Sequence, residues 1–197
     1  MNIEVRMATK KDRLAIENLH DEVHFTMQSS GLEQEYFMPY IDDEGRWRDF
    51  ETADCAVAYY GTQIIGVCGA ILHGSDLFGY ASKMGIHPDK LGELFIYTHP
   101  DFRSLSNVSE LKNRRISTEL VDKALDYMSE QERKIALVTT HPEHPVKKHI
   151  LRMGFSQFGE EFMARKKYQR ILMCKKVDFR PTFLKIPETQ KSLSLGE

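Results

Sequence analysis

Ile3, Val5 and Met7 alternate with polar residues at the start of the chain, a period of two that predicts a short strand with one buried face. Thr9 and Asp12 follow at capping-box spacing, the aspartate standing where Glu or Gln is usual. Ile16, Leu19 and Val23 then share one face of a predicted helix. From 29 to 50 the periodicity weakens. Gly31, Pro39 and Gly45 punctuate this stretch, and Tyr36, Phe37, Tyr40, Trp47 and Phe50 gather in it. Apolar runs over 55–60 and 63–72 predict two strands, and Gly61-Thr62 between them suits a two-residue II′ turn, because Gly accepts positive φ at the first loop position. A loop rich in Gly, Asp and Pro leads to a predicted strand over 93–97. The strongest helical signal follows: Ile116, Leu120, Ala124 and Met128 recur at i, i+4, and Val121 and Leu125 widen the stripe. Further on are a strand over 134–139, a short helix from about Pro145 to Gly154, and a strand over 171–174.

The order is therefore strand, helix, irregular helical region, hairpin, strand, helix, strand, helix, strand. It predicts mixed α/β structure with a hairpin meander in the first half and a βαβ crossover in the second. The chain of 197 residues suits one domain, placed at 1–180, with an extended or disordered tail over 181–197. Hydrophobic residues at 41% and charged residues at 28% give ordinary globular composition. A formal net charge of -2 provides no bulk field toward nucleic acid or acidic lipid. Three cysteines, Cys55, Cys68 and Cys174, each sit in an apolar stretch, and fit free thiols in a reducing compartment better than a disulfide framework. No long apolar run opens the chain and no window reaches membrane-span length, so the expected location is cytoplasmic.

Two histidine groupings invite a metal reading. His20-Asp-Glu-Val-His24 places imidazoles one helical turn apart, but zinc proteases need Glu directly after the first His. His141, His144 and His149 could share an ion, although the adjacent prolines fit a loop equally well and no third ligand type stands at standard spacing. No metal is expected.

Tyr97-Thr-His-Pro-Asp-Phe-Arg103 at the end of a central strand, followed by a long helix, a strand and a short helix closing on Met153-Gly154-Phe155, resembles the GNAT superfamily of N-acyltransferases. The likeness spans about residues 3 to 177 and rests on the conjunction of these phrases. It implies an α/β fold with a mixed, mostly antiparallel sheet, flanking helices and a central βαβ unit, and transfer of an acyl group from acetyl-CoA or a longer acyl-CoA to a small-molecule primary amine. The loop Thr140-His-Pro-Glu-His-Pro145 also resembles N-acyl amino acid synthases, relatives of acyl-homoserine-lactone synthases. Those enzymes draw long acyl chains from CoA or from the phosphopantetheine of an acyl carrier protein.

Two departures from the GNAT pattern bear on the site. Family members usually hold the donor pyrophosphate with a Gly-x-Gly-like turn entering the long helix, where backbone N–H groups and the helix dipole favour an anion. Here Lys112-Asn113-Arg114-Arg115-Ile116-Ser117 occupies that turn, with Arg115 and Ser117 where glycines are expected. Arginine side chains could bind phosphate instead, and a solvated charge run is the plainer alternative. Many members also place a Tyr acid four residues before the Gly of Gly-Phe, and this chain has Ile150 there. His149 is adjacent but about 100° around the helix. It is a candidate catalytic residue, with core filler or a surface residue as the plainer reading, and solvent or another side chain could equally deliver the proton.

The resemblance implies that the central strand splays from its neighbour, so that backbone N–H groups near Phe95, Ile96 and Tyr97 hold the pantetheine and carbonyl. Arg103, Lys112, Arg114, Arg115, Ile116 and Ser117 complete the expected donor site. Glu93 opens the same strand and is the candidate base, directly or through water, with a solvent-facing strand end as the alternative. Tyr36, Phe37, Tyr40 and Trp47 fit an acceptor or acyl pocket, or plain packing under a loop. A GNAT fold retained only for binding is the competing expectation from another class.

Overall fold

A computed structural model of the chain describes residues 3–31, 53–83, 85–102, 115–164 and 168–178. The expected irregular region, with Tyr36, Phe37, Tyr40 and Trp47, lies outside them, as do Arg103, Lys112, Arg114 and the tail. Seven strands form one sheet: β1 (Ile3–Met7), β2 (Ala53–Tyr60), β3 (Gln63–Ile71), β4 (Leu91–Thr98), β5 (Ile135–Thr140), β6 (Ser156–Ala164) and β7 (Tyr168–Lys176). Their spatial order is β1-β2-β3-β4-β5-β7-β6. Every neighbouring pair is antiparallel except β4 and β5, which run parallel. This is the hairpin meander and βαβ crossover that the periodicity predicts, within the mixed, mostly antiparallel sheet that the GNAT resemblance implies.

Among the described residues four α-helices cover the sheet: α1 (Arg13–Ser29), α2 (Asp76–Ser82), α3 (Ile116–Glu130) and α4 (Val146–Arg152). None of the described helices is long and apolar enough to cross a membrane. The i, i+4 stripe of α3 packs Ile116, Leu120, Ala124 and Met128 against Ala56, Cys68, Leu94, Ala136 and Met173 of the sheet. Leu120 and Met128 are fully buried, each contributing about 1.5–3 kcal/mol of hydrophobic stabilisation. On the other face α1 packs Ile16, Leu19 and Val23 onto Val57, Val67, Ile71 and Phe95. Beside it, Leu77, Phe78 and Ala81 of α2 cover Leu91, Leu137 and Leu172.

Local chemistry accounts for the corners. Gly61 takes φ 61° and Thr62 is not in the positive-φ region, as a II′ turn requires. Asp12 accepts from the Thr9 backbone N–H at 2.7 Å, the reciprocal half of the expected capping box. The same carboxylate takes a bidentate grip from Arg6 at 2.8 and 2.9 Å and a hydrogen bond from the Tyr59 hydroxyl at 2.8 Å. It thereby ties β1, α1 and β2 together. The Arg6 hydrogen bonds hold the Asp12 carboxyl well below the usual carboxylate range.

Two elements correct the sequence expectation. The stretch read as a loop after β3 contains α2, capped by Ser75, whose hydroxyl oxygen accepts from the Leu77 N–H at 3.1 Å. A short turn, Pro88–Lys90, then enters β4. The hairpin partner of β7 is β6, which the period search misses because it is an edge strand with Phe158 and Phe162 half-buried among exposed polar residues. Tyr80 of α2 stacks on Phe162 with ring centroids 4.6 Å apart, so the two unpredicted elements meet.

Candidate active site

The parallel pairing of β4 with β5 runs from Leu91↔Ile135 through Gly92↔Ala136 to Glu93↔Leu137. Beyond that point β4 stays paired with β3 as far as Thr98↔Gly66, and β5 stays paired with β7 as far as Thr140↔Ile171. Among the described residues no further bridge joins β4 to β5. The sheet therefore splits after Glu93, leaving the inner edges of residues 94–98 and 138–140 facing one another. Inner edges offer backbone donors and acceptors to an extended, amide-bearing molecule.

Glu93 sits at the apex of this split. It is 4% exposed and its register partners are Ile71 on β3 and Leu137 on β5, so the carboxylate lies on the α1–α2 face and not in solvent. The Ser75 hydroxyl donates to Glu93 Oε2. Along β4, Phe95 and Tyr97 project to the same face and pack under α1, while Leu94 and Ile96 point to the α3 side, in one cluster with Ile116.

At the α3 end of the opening, the first intrahelical bond of α3 is donated by Glu119 to the Arg115 carbonyl. The N–H groups of Ile116, Ser117 and Thr118 precede it and point out of the helix end. Ser117 Oγ and His149 Nε2 of α4 lie 2.7 Å apart, a pairing the sequence does not announce. Burial, with added repulsion from Arg152 and Arg115, lowers the His149 pKa below its ordinary value, so the neutral imidazole prevails. Ile150 is 3% exposed and belongs to the apolar core, leaving no polar group at that position.

Sequence reasoning missed the polar cluster on the α1 side. His20 is fully buried against the edge of the Tyr97 ring, centroids 5.2 Å apart, and burial lowers its pKa. His24 stands one turn further on, with ring centroids 5.9 Å from His20. His99, just past β4, accepts the Asp101 N–H on Nδ1 at 3.2 Å, and its Nε2 lies 3.1 Å from Glu22 Oε1 and 3.1 Å from Gln63 Nε2. The alternation of β4 is the only signal that could have pointed Tyr97 toward α1. The loop histidines serve local turns: His141 Nδ1 accepts from the Glu143 N–H and His144 Nδ1 from the Val146 N–H. Among the described residues no three His, Cys, Asp or Glu side chains converge on a metal position. Cys55, Cys68 and Cys174 are not joined in a disulfide, and burial pushes the Cys55 thiol up to about 12 and the Cys68 thiol higher still.

No family model and no curated protein matches the sequence, but solved structures do. An N-acetyltransferase from Staphylococcus aureus Mu50 aligns with a TM-score of 0.60 at 14% identity, covering 91% of this chain and 100% of that one. The acetyltransferase of GNAT family from Streptococcus pneumoniae aligns at 0.58 and 16% identity, covering 90% and 100%. An aminoglycoside 6'-N-acetyltransferase complexed with coenzyme A aligns at 0.57 and 13% identity, covering 90% and 99%. At such identities the likeness is one of architecture, and it takes in 90–91% of this chain and 99–100% of each of the three: this protein has the fold of the GNAT acetyltransferases.

Proposed function

We propose that the protein is an N-acyltransferase that moves an acyl group from acyl-CoA to a small-molecule primary amine. The observation that carries this reading is the split between β4 and β5 with a buried carboxylate at its apex. Acyl transfer to an amine requires a neutral amine, a polarised thioester carbonyl and a proton for the departing thiolate. An alkylammonium resembles Lys, with a pKa around 10.4, and is mostly unreactive at neutral pH. Glu93, directly or through water, takes the amine proton as the N–C bond forms and the thioester C–S bond breaks. CoA then leaves as the thiol.

The inner edge of β4 at Phe95, Ile96 and Tyr97 suits the amide-bearing arm of the donor, and the first turn of α3 suits its phosphates. Arg115 is exposed at that helix end, and with Arg103, Lys112 and Arg114 it replaces the missing glycine cradle by side-chain contacts. We assign the acceptor or acyl pocket to Tyr36, Phe37, Tyr40 and Trp47 on their aromatic character. Ile150 supplies no acid, so the thiolate draws its proton from solvent or from the Ser117–His149 pair. The unreactive Cys55 and Cys68 thiols fit a reducing compartment, and we read the protein as cytoplasmic.

The test combines calorimetry with acetyl-CoA, long-chain acyl-CoA and plain CoA with a thiol-release assay over a panel of primary amines. We expect acetyl-CoA binding and amine-dependent CoA release. Release only with long-chain donors or acyl carrier protein would place the protein with the N-acyl amino acid synthases. Binding without release for any amine would make it a GNAT-fold binding module.

A further inference from the structure

Ser75 stands where α2 begins, 18 positions before Glu93 in the chain, and is bonded on both sides. Its oxygen accepts the Leu77 N–H, and its proton goes to Glu93 Oε2. An O–H whose lone pair is engaged by a backbone donor is polarised toward its own acceptor, and a hydroxyl bonded to a carboxylate makes a charge-assisted bond. Apolar residues placed beside Glu93 are Ile71 from β3, Leu137 from β5, and Leu91 and Phe95 along β4. Among the described residues, titratable groups on the surrounding elements are His73 and Asp76 beside Ser75, Tyr80 on α2, Cys174 on β7, Cys55 on β2, and His20 and Tyr97 on the same face of the sheet.

We propose that Ser75 is a positioning residue for the site: held by the Leu77 amide, its hydroxyl fixes the orientation of the Glu93 carboxylate at the point where β4 and β5 part. This rests on the reading of Glu93 as the base. It also gives α2 a task beyond covering Leu91 and Leu137, because the cap that starts the helix is the group that holds the carboxylate. A helix cap and a carboxylate clamp are separable by substitution. Ser75→Thr preserves both roles. Ser75→Ala removes both. Ser75→Asp caps a helix about as well as Ser does, but once ionised it cannot donate to Glu93 and repels it.

The experiment follows the Glu93 side-chain carboxyl by carbon NMR in glutamate-labelled full-length protein, with the resonance assigned by its loss in Glu93→Gln. Rates are measured alongside, with acetyl-CoA and whichever primary amine the wild type acylates. In Ser75→Ala the Glu93 titration should move up by about one pH unit, the size of one hydrogen bond to the charged form. Ser75→Asp should move it further, and Ser75→Thr should match wild type. kcat should fall about tenfold in the Ala and Asp variants with the KM for acetyl-CoA unchanged, as for a group acting on the chemical step. An unmoved titration, or a wild-type kcat in Ser75→Asp, overturns the proposal and leaves Ser75 a helix cap. The titration needs no acceptor, so it decides the pairing even if the wild type acylates no amine, a result that overturns only the acyltransferase reading.

Discussion

On the α3 side of the sheet, Ala56, Cys68, Leu94, Ala136 and Met173 from five strands share one apolar cluster with Leu120, Val121, Ala124 and Met128. On the opposite side the apolar residues fall into two clusters, one under α1 and one under α2. Glu93 stands between these two, with Ile71 and Phe95 in the first and Leu91 and Leu137 in the second. A continuous core cannot take in a carboxylate without leaving it unpaired, whereas a divided one has a seam where a helix cap can reach it. The continuous cluster lies on one face and the candidate base on the other.

The sharpest break of that contrast is Glu93→Gln. If the seam carries the chemistry, kcat falls by about 10²–10⁴, the usual worth of a general base, while the melting temperature barely changes. Full activity with the wild-type pH profile between pH 6 and 9 would remove the seam from the mechanism. Next in size is the double variant Arg114→Ala/Arg115→Ala at the entry to α3. Loss of two charge-assisted contacts should weaken acetyl-CoA binding by about 2–5 kcal/mol in calorimetry. An unchanged affinity with the fold intact would show the pair to be a solvated face.

A matched pair of glycine variants compares the two faces directly. A Cβ at Gly69 would lie 2.1 Å from the Phe95 ring on the divided face, and one at Gly92 would lie 2.4 Å from Met128 Cε on the continuous face. A buried ring has nowhere to bend, whereas the end of a methionine side chain can swing aside. Gly69→Ala should therefore cost about 2–3 kcal/mol and Gly92→Ala about 1 kcal/mol in chemical denaturation. The reverse order would mean that the continuous face is the more rigid. The smallest expected effect belongs to His149→Ala, whose rate should stay within about tenfold of wild type. A larger fall would turn the Ser117–His149 pair from a lining of the donor site into its proton source.

What could be read from the chain follows the same division. The stripe from Ile116 to Met128 was plain because a helix on a continuous core must keep its period over four turns. The crossover through it made the parallel pairing of β4 and β5 an expectation before any coordinates. Helix α2 was hidden because Gly74, Asp76 and Gly79 look like loop punctuation, and only the Ser75 cap with Leu77, Phe78 and Ala81 betrays it. Strand β6 was hidden because an edge buries too little to impose alternation. In the site, the position of Glu93 on the strand was readable and its surroundings were not. Burial and the Ser75 partner come from residues far apart in the chain, as does the tie from His99 to Glu22. Periodicity describes one segment at a time, and a site is assembled from several.

The corner at Asp12 also sets an acid limit on the molecule. A carboxyl held below its unfolded value contributes stability that is fully present above that value, about 3.9, and is withdrawn as the pH falls through the folded one. Asp12 thus stays ionised in moderately acidic solution, after ordinary surface carboxylates have taken up protons. When it does protonate, Arg6, Thr9 and Tyr59 lose their common charged acceptor together, while the ladder from Ile3↔Tyr60 to Met7↔Ala56 still holds the first strand to β2. Acid should therefore loosen the junction of β1 with α1 before it opens the sheet.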